Sequence, residues 1–483
     1  MSRTPVDARL PGSGAATTAT TAPAAFAACA LLALAGCQSL IPTYERPPLP
    51  VAAAYPEPPK LGEQPVPGIE IAADIPWDRF FRDQRLVRLI ELSLANNRDL
   101  RVAALNIEQT RALYAVRRAD AFPTVGIGAS AQRTPSSIGV VEAYAVGLAV
   151  SGYELDLVGR VRNLSEAALQ QFFATEENRR AVQIGLVASV ASTYISALAS
   201  DELLRVTRQA LETREESTRL TRLRFDAGAS SEIDFRQAES LLEAARVSLA
   251  QAERQRAQDE NALQLLLGAP IPAELPAGLA LDAQSFAAEL PAGLPSDLLE
   301  RRPDIRAAER QLQAQNANIG AARAAFFPRI SLTATLGSAS GDLDRLFRSG
   351  TFALTGTAQL LQPIFDAGRN RANLDVAFVA RDIAVAQYER SIQVAFREVA
   401  DALAGRATLG EQVRAQAAQA NALDITYRLA DLRYRNGAAS FLDVLDAQRS
   451  LFAAQQALVQ ARALRLQNTV SLYRALGGGW QGG

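Results

Sequence analysis

Residues 323–338 read Arg-Ala-Ala-Phe-Phe-Pro-Arg-Ile-Ser-Leu-Thr-Ala-Thr-Leu-Gly-Ser. Beyond Pro328 the apolar residues Ile330, Leu332, Ala334 and Leu336 alternate with Ser331, Thr333 and Thr335, a period of two that specifies a strand with two unlike faces. A second such run follows, with Phe352, Leu354, Ala358 and Leu360 alternating against Ala353, Thr355, Thr357 and Gln359. Segments of about ten residues with one apolar and one small or polar face have the length and pattern of transmembrane β-strands. Half-buried strands of a soluble sheet are the alternative. The flanking helical sequence offers no second layer to cover the apolar face.

The same passage occurs earlier in the chain. Arg118-Ala119 with Phe122-Pro123 precedes Val125, Ile127, Ala129 and Ala131, which alternate with Thr124, Gly128, Ser130 and Gln132. Tyr144, Val146, Leu148 and Val150 continue the pattern. Asp99-Leu100-Arg101 recurs as Asp304-Ile305-Arg306, an offset of 205 positions shared by the Arg-Ala and Phe-Pro pairs. Gly159-Arg160 then matches Gly368-Arg369, and Gly228, Ser231 and Asp234 match Gly437, Ser440 and Asp443, at an offset of 209. One register kept over such distances marks a tandem duplication of a unit of about 200 residues, far beyond the period of solenoid repeats.

Each unit reads helix, strand, strand, long helix, helix. Val158 to Ala227 and Ala367 to Asn436 contain no proline, so each predicts a helix of roughly 100 Å at ~1.5 Å per residue. Shorter helices are expected over Gln84 to Asp120, Glu232 to Gly268, Ser296 to Phe326 and Leu442 to Leu476. From Leu442, steps of three and four residues pass through Leu445, Phe452, Val459, Ala463, Leu466, Val470 and Tyr473, a coiled-coil seam. The Pro- and Gly-rich stretch 269–295 predicts a small side domain between the repeats. Gly228 and Gly437 each suit the left-handed cap of a long helix, and Ser231 and Ser440 each suit the N-cap of the next. Asp234 and Asp443, three residues on, complete arrangements related to a capping box.

Composition narrows the function. The 483-residue chain has a formal net charge of -1, 48 % hydrophobic residues and no histidine. That excludes a Ser-His-Asp triad, a His-ligated metal and a His acid/base pair, and gives no electrostatic case for nucleic acid. The only cysteines are Cys29 and Cys37. Arg3 and Arg9 precede an uncharged, alanine-rich run closed by Leu34-Ala35-Gly36-Cys37, the order of a signal peptide ending in a lipobox. Cleavage before Cys37 would leave it to carry diacylglycerol and an N-acyl chain. Gln38, where aspartate favours inner-membrane retention in lipoproteins, points to the outer membrane.

The expected division is a signal peptide 1–36, a lipidated extended segment 37–83, a first repeat 84–268 with strands near 124–133 and 143–153, and a linker 269–295. A second repeat 296–476, with strands near 329–338 and 351–361, and a Gly-rich tail 477–483 complete it. Four membrane strands cannot close a barrel, and an open edge in lipid leaves unpaired backbone groups costing several kcal/mol each. Several chains must therefore share one barrel. Two would give eight strands and a filled interior, three would give twelve and room for a passage.

The lipobox, the Pro42-Thr43-Tyr44-Glu45-Arg46-Pro47 segment, Trp77, the duplicated strand entries, and Gly437 followed by Ser440 and Asp443-Val444-Leu445-Asp446-Ala447-Gln448 resemble the TolC/OprM family of outer-membrane efflux channels, NodT-type lipoproteins. The likeness covers essentially the whole mature chain. It implies an α+β membrane protein: a homotrimer with a twelve-stranded transmembrane β-barrel continued by a long α-helical coiled-coil tunnel across the periplasm. It implies a periplasmic adaptor and an inner-membrane pump, commonly of the resistance-nodulation-division class, and passive conduction of small molecules with no cofactor beyond the lipid. In the matching motif Asp443 and Asp446 line the periplasmic entrance and Leu442 forms a second constriction, with Asp234 the first-repeat counterpart of Asp443. The tip turns at Gly228, Ser231, Gly437 and Ser440 are expected to meet the adaptor. For each aspartate a capping or solvated role is the alternative. A family arginine in the closing network is replaced here by Ala439, so that part of the lock does not transfer. An exit duct for protein secretion and a pore-less coiled-coil lipoprotein are the other function classes; an enzyme fits least.

Overall fold

The computed structural model describes residues 39–56, 74–137, 139–286, 290 and 297–480. The signal segment, Cys37 and Gln38 lie outside the described residues. The elements, in order, are helices α1 (Trp77–Phe80), α2 (Gln84–Asn96) and α3 (Arg98–Ala119), strands β1 (Val125–Ser136) and β2 (Gly139–Leu155), and helices α4 (Arg160–Asp226) and α5 (Glu232–Leu267). The second repeat supplies α6 (Leu298–Arg301), α7 (Pro303–Ala324), β3 (Arg329–Ser340), β4 (Phe352–Leu361), α8 (Arg369–Arg435) and α9 (Phe441–Ala475). Two compact units result, each drawing on both repeats.

The first unit holds Arg117–Ser165 and Ala317–Ala377 together with residues 39–42. Its centre is one antiparallel sheet of four strands in the order β1-β2-β3-β4. The register aligns the apolar residues across all four strands: Ile127 opposes Leu148, Leu148 opposes Leu336, and Leu336 opposes Leu354. Gly128, Gly147, Gly337 and Ala353 align in the same way on the other face, where no room for a Cβ exists between Gly147 and Gly337. One face is thus aliphatic and the other is small and polar. Ile127 is 84 % exposed and Leu354 72 % exposed, so no described residue covers the aliphatic side there.

A bulge sits between Val150 and Tyr153 of β2. It matters because side chains alternate with a period of two, and one extra residue turns the rest of the strand over. Without it Tyr153 and Leu155 would face the polar side. With it they pair with Leu332 and Ile330 on the aliphatic face, while Glu154 opposes Ser331. Gly152 takes the positive φ of 64° that the bulge needs, and its N–H donates to Thr333 Oγ1 at 3.2 Å. β1, β2 and β3 run longer than their sequence expectation, β2 from Gly139 to Leu155, while β4 keeps to its own within one residue.

The duplicated Gly-Arg pairs open the long helices. Asp156 accepts from the Arg162 N–H at 2.8 Å, and Asp366 from the Asn370 N–H at 2.9 Å, each carboxylate satisfying an otherwise unpaired helix-start donor. Gly159 and Gly368 adopt φ of 80° and 86° at these turns. α4 and α8 are 67 residues each, matching the expected long helices to within a few residues.

The second unit comprises Thr43–Val116, Glu166–Asn316 and Phe378–Gly483. Its core gathers Val190 and Ile195 from α4, Tyr388, Ile392 and Val399 from α8, and Val470 and Tyr473 from α9. Phe80 stacks on Tyr473 at 4.0 Å and on Phe286 at 5.2 Å between ring centroids. Glu309 is buried, and Tyr44 and Arg46 both bind its carboxylate, Arg46 through Nε at 2.8 Å and Nη2 at 3.1 Å. That contact is the structural content of the Tyr44-Glu45-Arg46 motif.

Four expectations need correction. The helix expected over Gln84 to Asp120 breaks at Asn97, whose Oδ1 accepts from the Leu100 N–H at 3.0 Å while its Nδ2 donates to the Leu266 carbonyl at 2.9 Å. The helix expected over Ser296 to Phe326 breaks at Arg302, where Pro303 occupies the first helical position. The two breaks are 205 positions apart, so the duplication includes them. The stretch 269–295 does not stand aside as a domain within its described part: Leu281 is buried in the main core, and Phe286 bridges to Phe81 and stacks on Phe80. The seam of α9 runs through Phe441, Val444, Leu445 and Gln448, whereas Leu442 is 51 % exposed.

Candidate functional site

Both repeats turn at a helix-hairpin tip built from the same parts. Where α4 ends, the Gly228 N–H donates to the Phe225 carbonyl at 2.9 Å and the Ala229 N–H to the Arg224 carbonyl at 2.7 Å. Where α8 ends, the Gly437 N–H donates to Tyr434 at 3.0 Å and the Ala438 N–H to Arg433 at 2.8 Å. This paired closure requires a left-handed residue, and Gly228 and Gly437 supply it at φ of 71° and 72°.

The next helices begin with reciprocal caps. Ser231 Oγ accepts from the Asp234 N–H at 3.2 Å and the Asp234 carboxylate accepts from the Ser231 N–H at 3.3 Å. Ser440 and Asp443 repeat this at 3.3 and 3.1 Å. Asp234 and Asp443 therefore both have their carboxylates engaged in capping boxes. Asp446 differs: it is a turn further in, and Arg449 Nη1 approaches it at 3.7 Å. Leu442, Asp443, Asp446 and Arg449 all lie on the exposed side of α9, opposite the buried Phe441, Val444 and Leu445. Among the described residues no group of three or more His, Cys, Asp or Glu side chains could hold a metal ion.

The two hairpins meet through a small core of their own. Ala238 of α5 packs with Phe441, Val444 and Leu445 of α9, with Leu241, Tyr427 and Tyr434 at its margin. Phe225 stacks on Phe235 at 5.9 Å and Tyr434 lies 5.1 Å from Phe441, closing each turn with an aromatic pair. Arg433 donates to the Ala438 carbonyl at 3.2 Å, within its own turn. Arg224 instead reaches across the repeats, its guanidinium carbon 4.7 Å above the centre of the Tyr434 ring. Sequence reasoning missed these aromatics. The signal was present, since Phe225 and Tyr434 are 209 positions apart, the offset of the tip glycines.

Against known proteins, the model of the outer membrane efflux protein family matches residues 89–269 and 294–478. This chain belongs to that family. The solvent efflux pump outer membrane protein SrpC of Pseudomonas putida is 50 % identical over 93 % of this chain and 97 % of its own length. The probable efflux pump outer membrane protein TtgC of Pseudomonas putida is 49 % identical over 92 % of this chain and 93 % of its own. The open-state Neisseria gonorrhoeae MtrE outer membrane channel superposes with a TM-score of 0.83, at 43 % identity, over 92 % of this chain and 99 % of that one.

As an outer membrane efflux protein, the chain is a channel component of an efflux system in the outer membrane, with a four-stranded sheet and a long helical periplasmic part. The protein-secretion alternative finds no support among these relatives, whose names are those of efflux components. The pore-less alternative is set aside, because the family's solved members are channels.

Proposed function

We propose that three copies of this chain close one twelve-stranded barrel and one helical duct, through which small molecules pass from an inner-membrane pump and periplasmic adaptor to the exterior. The observation that carries the reading is the sheet itself. β1 and β4 are its outer strands, so each has an edge that no described residue pairs, and the aliphatic face continuous across all four strands is uncovered. In lipid both edges must find partners, and closure by identical neighbours satisfies them. The duct performs no covalent chemistry. The relatives named for toluene, solvent and antibiotic efflux make small organic compounds the expected cargo, with a pump of the resistance-nodulation-division class as the energy source.

Acylation of Cys37 adds a second anchor, at roughly 0.8 kcal/mol per buried CH₂. Leu442, Asp443 and Asp446 form the periplasmic gate, with rings of carboxylates that attract cations, and the tips at Gly228, Ser231, Gly437 and Ser440 receive the adaptor. The deciding experiment is mass measurement of the detergent-solubilised protein with efflux complementation. A trimer that restores solvent or antibiotic resistance to a channel-deficient host carrying the cognate adaptor and pump is expected; a dimer, or a trimer without conductance in bilayers, overturns the reading. Mass spectrometry of the mature N-terminus tests the lipid, and an unmodified Cys37 refutes it.

A further inference from the structure

Arg214 of α4 is 5 % exposed, yet no carboxylate among the described residues pairs with it. Among the described residues its guanidinium makes one hydrogen bond, a weak one: Nη1 donates to the Leu241 carbonyl at 3.3 Å. Its guanidinium lies 4.9 Å from the centre of the Phe452 ring. Buried charges are ordinarily paired, because an unpaired ion forfeits its hydration with nothing in return. A cavity of about 100 Å³ adjoins Arg214, walled also by Thr213, Asp424, Tyr427, Gln448 and Phe452. Gln448 is 7 % exposed, and its Oε1 has no hydrogen-bond donor. One small cavity thus adjoins a buried cation without an ion-pair partner and a buried acceptor without a donor, among the described residues.

The neighbours do not supply what is missing. The Asp424 carboxylate is engaged by Arg428 on its own helix. Burial, followed by the positive charge of Arg449, pushes the Arg214 guanidinium below its ordinary pKa, and no carboxylate offsets them.

We propose that this cavity binds a small monovalent anion of halide size, held by Arg214 and accompanied by one water. Arg214 N–H groups donate to the anion. The water donates one proton to the anion and the other to Gln448 Oε1, which completes both deficits with a single occupant pair. The cavity is walled by α4 on one side and by α8 and α9 on the other, so its occupant links the first hairpin to the second.

The test uses the full-length detergent-solubilised protein and bromide as probe. Diffraction from crystals soaked in bromide should show anomalous density beside Arg214. Chloride or bromide should also raise the melting temperature relative to equimolar gluconate, a far larger anion. Arg214→Met should abolish the density and the halide-dependent shift. If that variant fails to fold, Gln448→Leu, which keeps the arginine and removes the acceptor of the bridging water, should weaken bromide affinity several-fold. Absence of anomalous density in the wild type, an unchanged halide shift in either variant, or density for a neighbouring chain's carboxylate on Arg214 would overturn the proposal.

Discussion

Arg224 at the end of α4 stacks on Tyr434 at the end of α8, 4.7 Å from guanidinium carbon to ring centre, and so adds a cation–π contact at the tips to the small core through which the two hairpins meet. Such a contact contributes about 0.5–1 kcal/mol where water reaches it. Because the attraction is to the ring face and not the hydroxyl, Tyr434→Phe should behave as wild type. Tyr434→Leu and Arg224→Ala should each raise the resting conductance of the closed channel, and the double variant should add little to either. A large effect of Tyr434→Phe in bilayer recordings would mean that the hydroxyl carries the contact.

The sheet makes a sharper distinction between adjacent residues. Leu332 and Leu354 belong to the aliphatic face, while Thr333 and Thr355 belong to the small polar face. Arginine on a lipid-facing strand position near the bilayer centre costs about 2–4 kcal/mol, and much less facing an aqueous lumen. Leu332→Arg and Leu354→Arg should therefore lower the yield of assembled oligomer in outer-membrane extracts, and Thr333→Arg and Thr355→Arg should not. Equal yields from both sets would refute the assignment of faces.

Asp83 is 1 % exposed and serves four donors. Its Oδ1 accepts from the Arg85 N–H at 2.9 Å; its Oδ2 accepts from Tyr194 Oη and the Leu279 N–H at 3.0 Å each and from Gln284 Nε2 at 2.6 Å. Burial, with the Asp83 charge beside it, raises the Tyr194 hydroxyl above its ordinary pKa, so it stays protonated and donates. Asp83→Ala leaves several buried donors unsatisfied, each costing about 1–3 kcal/mol. The full-length protein should lose more than 10 °C in melting temperature, and Asp83→Asn, which keeps an acceptor, should lose less than half of that. A loss within a few degrees for Asp83→Ala would show that water replaces the carboxylate.

The role of Asp83 was not legible in the sequence, although it stands immediately before a predicted helix and caps it. Its role comes from Tyr194, Leu279 and Gln284, 111 to 201 positions away, and no local pattern announces such contacts. What was legible is what repeats or alternates. The period-two runs located the strands, the offsets of 205 and 209 located the equivalent turns, and proline-free stretches located the two 67-residue helices. The bulge at Gly152 was hidden because alternation read on one strand cannot reveal that its partner needs an extra residue to stay in phase. The seam of α9 was displaced by one position at its start, since Phe441 and Leu442 are equally apolar and only packing against Ala238 and Tyr434 decides which turns inward. At the gate, the capping and lumen-facing readings of Asp443 compete for one residue, and the capping hydrogen bonds do not consume its charge.

Asp443 carries a cap and a charge at once, and a test of the gate must change one without the other. Asp443→Ala would remove both a cap, worth about 1 kcal/mol, and a charge, so a change in conductance would have two explanations. Asparagine separates them, because its amide oxygen still accepts the Ser440 N–H now received at 3.1 Å. The Asp443→Asn, Asp446→Asn double variant should therefore keep its helix start and its stability while losing the carboxylate rings. In planar bilayers, a divalent or trivalent cation on the periplasmic side should block the wild type, and the double variant should resist block by at least tenfold in cation concentration. Ser440→Ala is the complementary control, weakening the cap while leaving both carboxylates, and its block should remain near that of the wild type. If the asparagine variant is blocked as readily as the wild type, Asp443 and Asp446 serve the helix start and the solvent, and closure rests on Leu442 and the tip contacts.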